Sequence, residues 1–220
     1  MKTAIFDLDG TLADTSRDLL HAGNACFLAD GYAPPLTHAD HAAIALRGGR
    51  AMLRAGAEIL NITWSEDDIQ RHYPRLLQVY GENIDVHTVL YPGVLAALDR
   101  LAAAGWHLGI CTNKPEGLAE TLTAKLGIRD RFQALIGADT LPVRKPDPEA
   151  LFEAIRRAGG DRAQAVLFGD TITDHTTARN AGIASVLVSF GPLGASVAEM
   201  GPDALLPHYD QIEDVLATLF

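Results

Sequence analysis

Residues 2–12 read KTAIFDLDGTL, and the fold that we expect for the whole chain is built around them. The apolar run at residues 3–6 has the length of a buried strand, and the polar residues that follow it are poor strand formers. Asp7 and Asp9 should therefore lie in the loop beyond the strand, where ligands bind in an open parallel sheet. Two carboxylates this close repel each other unless a cation neutralises them or one holds a proton. A plain turn or helix cap is the alternative interpretation, since aspartate commonly fills those positions.

The composition is that of a globular, acidic chain. Of its 220 residues 48% are hydrophobic, and 18 Lys and Arg stand against 28 Asp and Glu. The formal net charge of −10 argues against nucleic acid or an anionic membrane as the principal partner. No apolar stretch approaches the ~18 residues of a membrane-spanning helix, and no signal region is recognised, so we expect a cytoplasmic location. Cys26 and Cys111 are too few for a disulfide framework or a thiolate metal site.

The part of the chain after the opening strand has helical spacing and no convincing strand. Apolar residues recur at helical intervals in four stretches, at about residues 16–27, 37–46, 50–60 and 65–80. Pro74 falls inside the last of these stretches and predicts a kink or a split there. We therefore expect an inserted all-helical domain at residues 15–87, and a core domain formed by residues 1–14 and 88–220.

From residue 91 onward, short apolar runs alternate with helical stretches, which is the pattern of βαβ units and a parallel sheet. The expected strands are residues 106–111, 134–137, 165–168 and 183–188. The expected helices are residues 94–104, 115–126, 147–158 and 174–181. Prolines punctuate the tail, residues 197–220, which we expect to be helix and turn. These features predict an α/β fold with helices on both faces of the sheet.

Two polar stretches directly follow apolar runs in the second half of the chain. Residues 111–115 (CTNKP) offer Thr112 and Asn113, which either cap the next helix or bind phosphoryl oxygens at its N-terminus. Residues 143–148 (VRKPDP) hold Lys145 on an extended segment before a helix start. An ordinary exposed loop lysine is the alternative interpretation of Lys145.

A third such stretch, residues 168–174 (FGDTITD), places Asp170 at the end of a strand and Asp174 at the start of a helix, where Asp174 is also a natural cap. Together with the opening stretch, these segments resemble, in the same order, the four motifs of the haloacid dehalogenase-like (HAD) phosphatases. The resemblance covers nearly the whole chain and is closest to the phosphoglycolate phosphatase-like branch, which carries a small helical cap domain. It implies a Rossmann-like parallel sheet of strand order 5-4-1-2-3 in the core.

The resemblance also implies a reaction and the residues that perform it. Asp7 attacks phosphorus and becomes an aspartyl phosphate, while Asp9 protonates the leaving group and then activates water. Lys145 neutralises the charge of the nucleophile and the phosphoryl oxygens, and Thr112 orients the transferring group. Asn113 is a further candidate for substrate binding.

The cofactor that the resemblance implies is Mg²⁺. Its protein ligands would be the side chains of Asp7 and Asp170 and a backbone oxygen at Asp9, an oxygen-only set that suits this ion. Asp174 is expected to orient the metal's waters or Lys145 rather than to bind the metal directly. His175 follows Asp174, but one histidine among carboxylates is a poor zinc site.

Substrate specificity is expected to come from the helical domain. Arg47 and Arg50 flank a double glycine, with Arg54 one turn on, and a guanidinium group there could grip a substrate carboxylate, which fits 2-phosphoglycolate. A solvated helix start is the alternative interpretation. Thr15 is a further substrate-binding candidate. The expected partner is a small phosphorylated metabolite, and these residues do not specify an oligomeric state.

Other functions remain open on the same motifs. A phosphomutase of the β-phosphoglucomutase kind shares them, and inorganic pyrophosphate or other small phosphate esters are rival substrates. A non-catalytic phosphate-binding or regulatory protein on the same fold is the alternative outside the enzymes. A haloacid dehalogenase is disfavoured because those enzymes lack the second acid that Asp9 supplies here.

Overall fold

The computed structural model describes all 220 residues, which form two compact units. Unit 1 comprises residues 1–14 and 90–220, and unit 2 comprises residues 15–89. The chain passes from one unit to the other twice, and the sequence predicted the second boundary between residues 87 and 88, two residues before the observed one. Two-residue strands, β2 (Ala13–Asp14) and β3 (Val89–Leu90), lie at the two crossings. No helix in the chain is both long enough and apolar enough to cross a membrane.

Unit 1 contains a parallel sheet of six strands, which confirms the predicted α/β class. The strands are β1 (Thr3–Phe6), β4 (His107–Cys111), β5 (Ala134–Ile136), β6 (Ala165–Gly169), β7 (Ala184–Val188) and β8 (Ala204–Leu206). Their order across the sheet is β5-β4-β1-β6-β7-β8. The five expected strands keep the order that the resemblance implied, but a sixth strand extends the sheet beyond β7.

The prediction of helix and turn for the tail was therefore wrong at Ala204–Leu206, which pairs in parallel with β7. The four residues between Pro202 and Pro207 are too few to show the alternation by which a strand is recognised in sequence. The strand forms because β7 offers it an open edge, which is a tertiary rather than a local cause.

Both faces of the central strand are packed. All four residues of β1 are fully buried. Ile5 belongs to a cluster with residues of helices α7 (Pro148–Arg157) and α8 (Ile172–Ala181). Phe6, which points to the opposite face, stacks on Phe168 with 4.8 Å between ring centroids. A strand buried on both faces is typical of a parallel sheet covered by helices.

The remaining helices of unit 1 are α5 (Val94–Ala103), α6 (Glu116–Lys125) and α9 (Ile212–Ala217), with short 3₁₀ segments at Arg129–Arg131, Arg162–Gln164, Gly194–Met200 and Tyr209–Gln211. Local sequence explains several helix ends. The Asp147 side chain accepts a hydrogen bond from the Glu149 N–H, and Pro148 occupies the first turn of α7. Gly182 ends α8 in a left-handed conformation, with φ +65°.

Unit 2 contains four helices, α1 (Ser16–Ala29), α2 (His38–Ala45), α3 (Gly49–Ile59) and α4 (Glu66–Glu82). A capping box between Ser65 and Asp68 starts α4. This helix continues through Pro74 as one element, so the split that the proline predicted does not occur. Asp18, buried in the first turn of α1, accepts hydrogen bonds from the backbone of residues 87 and 88, which ties the two ends of the unit together.

Candidate active site

The candidate site lies at the carboxyl ends of the three central strands of unit 1. Phe6 pairs in register with Ile110 on one side and Phe168 on the other, so β1, β4 and β6 end at the same level. The loops that follow these strands carry the first, second and fourth motifs. The backbone N–H of Asp7 donates to the Phe168 carbonyl at 2.8 Å, which holds the loop of the first motif next to the loop of the fourth motif.

Lys145 is the centre of a buried charged cluster. Its Nζ lies 2.6 Å from Oδ1 of Asp174 and 3.1 Å from Oδ1 of Asp7. The carboxylates of Asp7, Asp170 and Asp174 each have an oxygen within 4.8 Å of the others. Three acids thus face one ammonium group. When all are ionised, the cluster carries an excess of two negative charges, which a divalent cation would balance.

Asp170 supplies the observation that tests whether a metal fits. Its Oδ1 accepts a hydrogen bond from the Thr11 hydroxyl at 3.2 Å, while its Oδ2 is buried and has no hydrogen-bond partner. A buried polar atom without a partner is unfavourable unless it has a ligand to bind. Hard carboxylate oxygens are the donors that Mg²⁺ prefers, so the residues present fit this ion.

Asp174 is held by the turn that precedes α8. Its Oδ2 accepts hydrogen bonds from the Thr171 hydroxyl at 2.6 Å and from the Thr171 N–H at 3.1 Å. A Cβ placed on Gly169 would lie 2.2 Å from the Cβ of Asp174, so only glycine fits at this position. The glycine of the fourth motif therefore allows Asp174 to approach the end of β6.

Burial shifts the protonation of the cluster. Burial raises the pKa of Asp7 to about 6, against the opposing effect of Lys145 and with the help of Asp174. Burial also raises the pKa of Asp170, to which Asp174 and Asp7 add their repulsion. For Lys145, burial alone would lower the pKa, but Asp174 and Asp7 outweigh it and the pKa is raised. The ammonium group therefore stays charged, whereas the raised pKa values of Asp7 and Asp170 favour their protonated forms.

A second ion pair joins a half-buried aspartate to a buried lysine that the sequence analysis did not single out. Nζ of Lys114 lies 2.7 Å and 3.0 Å from the two carboxylate oxygens of Asp9. A signal for it was present in the sequence, because the dipeptide Lys-Pro occurs twice, as Lys114–Pro115 and Lys145–Pro146. Each of these lysines follows a strand of the sheet and contacts one of the two aspartates of the opening motif.

Thr112 and Asn113 connect the second and third motifs. Thr112 is buried, and its Oγ1 accepts a hydrogen bond from the Lys114 N–H at 3.2 Å. The Asn113 side-chain amide donates to the Lys145 carbonyl at 3.0 Å. Burial raises the pKa of the neighbouring Cys111 thiol to about 12, so this cysteine is a core residue and not a nucleophile.

The predicted residues of unit 2 have varied surroundings. Arg47 is exposed, whereas the Arg50 guanidinium lies 3.7 Å from the Tyr73 ring centroid and donates to the Gln70 side chain. Thr15 is fully buried, and its hydroxyl oxygen has no hydrogen-bond partner. These contacts give none of the three a role with a ligand, so their part in substrate binding stays a prediction.

Comparison with known proteins places this arrangement in a family. A sequence model of the haloacid dehalogenase-like hydrolases matches residues 4–188. A phosphoglycolate phosphatase of Mesorhizobium japonicum is 40% identical over 218 residues, which cover 97% of this chain and 93% of that protein. One from Agrobacterium fabrum is 37% identical over 213 residues, covering 97% and 91%.

Solved structures show the same likeness. A predicted phosphoglycolate phosphatase from Haemophilus somnus has a TM-score of 0.84 and 26% identity, with 98% of this chain and 97% of that chain covered. A putative β-phosphoglucomutase from Thermotoga maritima has a TM-score of 0.72 and 26% identity, with both chains covered in full. The chain therefore belongs to the haloacid dehalogenase-like hydrolases, in their phosphoglycolate phosphatase-like branch.

Proposed function

We propose that this chain, a phosphoric monoester hydrolase by its relatives, is a Mg²⁺-dependent phosphatase that works through an aspartyl phosphate, with 2-phosphoglycolate as the first candidate substrate. The observation that carries the mechanism is the position of Lys145, which contacts Asp7 and Asp174 in a cluster of acids that also contains the unpartnered oxygen of Asp170. The substrate is suggested by the names of the curated relatives.

Asp7 is the nucleophile in this mechanism. Its Oδ1 contacts Lys145 and accepts a hydrogen bond from the Leu8 N–H at 2.7 Å, so we assign the attack to Oδ2. A new bond from Oδ2 to phosphorus forms as the ester bond breaks. Lys145 holds positive charge where the carboxylate meets the phosphoryl oxygens, and Thr112 orients those oxygens from the next loop.

Asp9 is the proton carrier. In the first step it donates a proton to the departing alkoxide oxygen, and in the second it accepts a proton from the water that attacks the aspartyl phosphate. The second step breaks the bond between Asp7 and phosphorus, releases inorganic phosphate and regenerates both carboxyl groups in their starting states.

Asp7, Asp170 and a backbone oxygen of Asp9 would hold the metal in this proposal, and Asp174 would orient its surroundings. When bound, Mg²⁺ supplies positive charge that offsets the repulsion between the carboxylates and a phosphoryl group. The same charge keeps Asp7 ionised, although burial raises its pKa.

Unit 2 is proposed to act as the cap domain and to supply specificity through Arg47, Arg50 and Thr15. Arg47 is the strongest of these candidates, because its exposed guanidinium group can reach an anionic ligand. Arg50 would first have to leave its contacts with Tyr73 and Gln70.

The decisive experiment measures phosphate release from 2-phosphoglycolate by purified wild-type protein and by the Asp7→Asn variant. We expect Mg²⁺-dependent turnover that EDTA removes and added Mg²⁺ restores, and no turnover by the variant, because an amide cannot form the acyl phosphate. Acid-quenched wild-type protein should carry phosphate on the peptide that contains Asp7. Turnover by pure Asp7→Asn protein would contradict the mechanism.

A phosphomutase is the second candidate, favoured by the similarity to the putative β-phosphoglucomutase of Thermotoga maritima. Incubation with β-glucose 1-phosphate separates the two functions, since a mutase forms glucose 6-phosphate while a phosphatase releases inorganic phosphate. Comparison of kcat/KM for 2-phosphoglycolate, sugar phosphates and pyrophosphate then identifies the preferred substrate.

A further inference from the structure

Lys114, which forms an ion pair with Asp9, has no part in the proposed mechanism. The Lys114 side chain is 3% exposed, and its ammonium group contacts both oxygens of the Asp9 carboxylate at hydrogen-bond distance. Lys145, in contrast, contacts the other aspartate of the opening motif. The structure thus provides a separate buried cation for each of these two acids.

Both partners stand on a fixed backbone. The Lys114 N–H donates to the Thr112 hydroxyl oxygen, and the Lys114 carbonyl accepts from the Ala138 N–H at 2.9 Å. On the other loop, the Gly10 N–H donates to the Ala13 carbonyl at 2.8 Å, and Gly10 adopts φ +82°, which closes the turn directly after Asp9. The position of the ammonium group therefore determines where the carboxylate points.

We propose that Lys114 is a positioning residue for the proton transfer by Asp9. An aspartate in a loop has two side-chain torsions, and a contact to both of its oxygens fixes them in one orientation. Proton donation to a leaving group requires a heavy-atom approach of roughly 2.6–3.2 Å, so a carboxyl group that turns away loses rate. This inference rests on the role of Asp9 in the proposed function.

Stability alone is a poor explanation of the pair. Burying two charges removes them from water, and apolar residues of similar size commonly stabilise a protein as well or better. The ion pair instead places a charged donor beside the one acid that has to face the leaving group. A role in orientation accounts for the bidentate contact and for the fixed backbone on both sides.

The leaving group provides the test. An alkyl phosphate such as 2-phosphoglycolate needs a proton on its departing oxygen, whereas p-nitrophenyl phosphate leaves as a stabilised anion. We expect Lys114→Met to lower kcat/KM for 2-phosphoglycolate by about 10- to 100-fold, and to leave kcat/KM for p-nitrophenyl phosphate within about 3-fold. This ratio is informative because kcat/KM reports only the steps up to leaving-group departure. Lys125→Met, on the exposed surface of α6, is the matched control and should change neither value.

A double-mutant cycle tests whether the lysine acts through Asp9. In the Asp9→Asn background, Lys114→Met should change kcat/KM for either substrate by less than about 3-fold, because no acid remains to be positioned. The double variant also leaves no lone buried charge, so it gives a folded comparison even if Lys114→Met alone is unstable. Equal losses with both leaving groups, or additive losses in the cycle, would overturn the proposal. Absence of activity in the wild-type protein would instead refute the proposed function.

Discussion

Two ion pairs in this molecule have the same separation and very different surroundings. In unit 1, Lys145 and Asp174 are 2.6 Å apart, and their side chains are 2% and 1% exposed. In unit 2, Arg54 and Glu66 are also 2.6 Å apart, but their side chains are 47% and 73% exposed. We therefore take burial, rather than distance, as the criterion that separates an ion pair of the candidate active site from one that is only solvated.

The physical reason is solvation. Charges on the surface interact through water and salt, so an exposed pair contributes roughly 0–1 kcal/mol. Buried charges lose their hydration, and the loss is offset only when partners and hydrogen bonds surround them. The cluster around Lys145 keeps three acids in that unfavourable environment, and an oxygen of Asp170 still lacks a partner. Such an arrangement is typical of functional sites.

The largest expected effect follows from removing the buried cation. Lys145→Met should abolish detectable turnover and lower the free energy of unfolding by about 3–5 kcal/mol, because Asp7 and Asp174 lose their counter-charge. Urea denaturation and an assay with p-nitrophenyl phosphate measure the two effects. Lys125→Met, an exposed substitution of the same kind, should change neither. A stable and active Lys145→Met protein would show that burial does not mark function here.

A smaller effect is expected when the cluster is displaced without removing a charge. Gly169→Ala would place a methyl group 2.2 Å from the Cβ of Asp174, so the end of β6 or the start of α8 has to move. We expect a loss of about 1–3 kcal/mol in the free energy of unfolding, together with a higher Mg²⁺ requirement. Gly117→Ala is the control, since its added methyl group meets nothing within 4 Å, and helix propensity should then favour the variant. Equal stability of the two variants would contradict the close approach.

The residues of the buried cluster around Lys145 were largely predictable from sequence. Each of these residues lies next to a signal that is visible in the sequence. Asp7 and Asp170 come at the ends of apolar runs, and Lys145 directly precedes a proline. Parallel strands then bring their carboxyl ends to one edge of the sheet, as register pairing at Phe6 shows. Each signal lies within a short stretch of sequence, and the rule that ligands bind at the carboxyl ends of parallel strands predicts that these stretches form one site.

The features that were missed depend on tertiary contacts. Lys114 was not singled out from the sequence, although it shares the Lys-Pro dipeptide with Lys145, because its significance comes from Asp9, which lies 105 positions away. The strand Ala204–Leu206 forms on an edge that the sequence does not display. For Arg50, no sequence pattern indicated that Tyr73 and Gln70 would engage the guanidinium group.

The pH dependence of stability should separate the buried acids from the exposed ones. Burial raises the pKa of Asp7 from 3.8 to about 6, so between these values the folded protein holds a proton that the unfolded chain has lost. The contribution of Asp7 is therefore present at about pH 4 and is lost as the pH rises through about 6. We expect metal-free protein to lose on the order of 1–2 kcal/mol across this window. An acid with a lowered pKa acts with the opposite sign and at lower pH, as does the half-buried Glu153, whose pKa hydrogen bonds from Arg156 and Arg157 lower to about 2.

Urea denaturation in EDTA at pH 4.5 and at pH 7 measures this effect, with Asp7→Asn as the comparison. The variant lacks the titrating group, so its stability should fall less over the same interval. Added Mg²⁺ should reverse the loss in the wild-type protein at pH 7, because a bound cation favours the ionised carboxylate. Identical pH profiles for the two proteins would show that Asp7 titrates as an exposed aspartate does.

The smallest effect is expected at the exposed pair of unit 2. Arg54→Ala removes both hydrogen bonds to Glu66 but leaves no buried charge, so the free energy of unfolding should change by less than about 1 kcal/mol. Because the Glu66 partner already satisfies the guanidinium group, kcat/KM for 2-phosphoglycolate should stay within about 2-fold of the wild-type value, a change of ~0.4 kcal/mol. Arg47→Ala, at an exposed arginine of the same unit, is the comparison for substrate binding. A large rise in KM for Arg54→Ala, without a change in stability, would mean that an exposed ion pair opens to bind substrate, and burial would then fail as the criterion for function in unit 2.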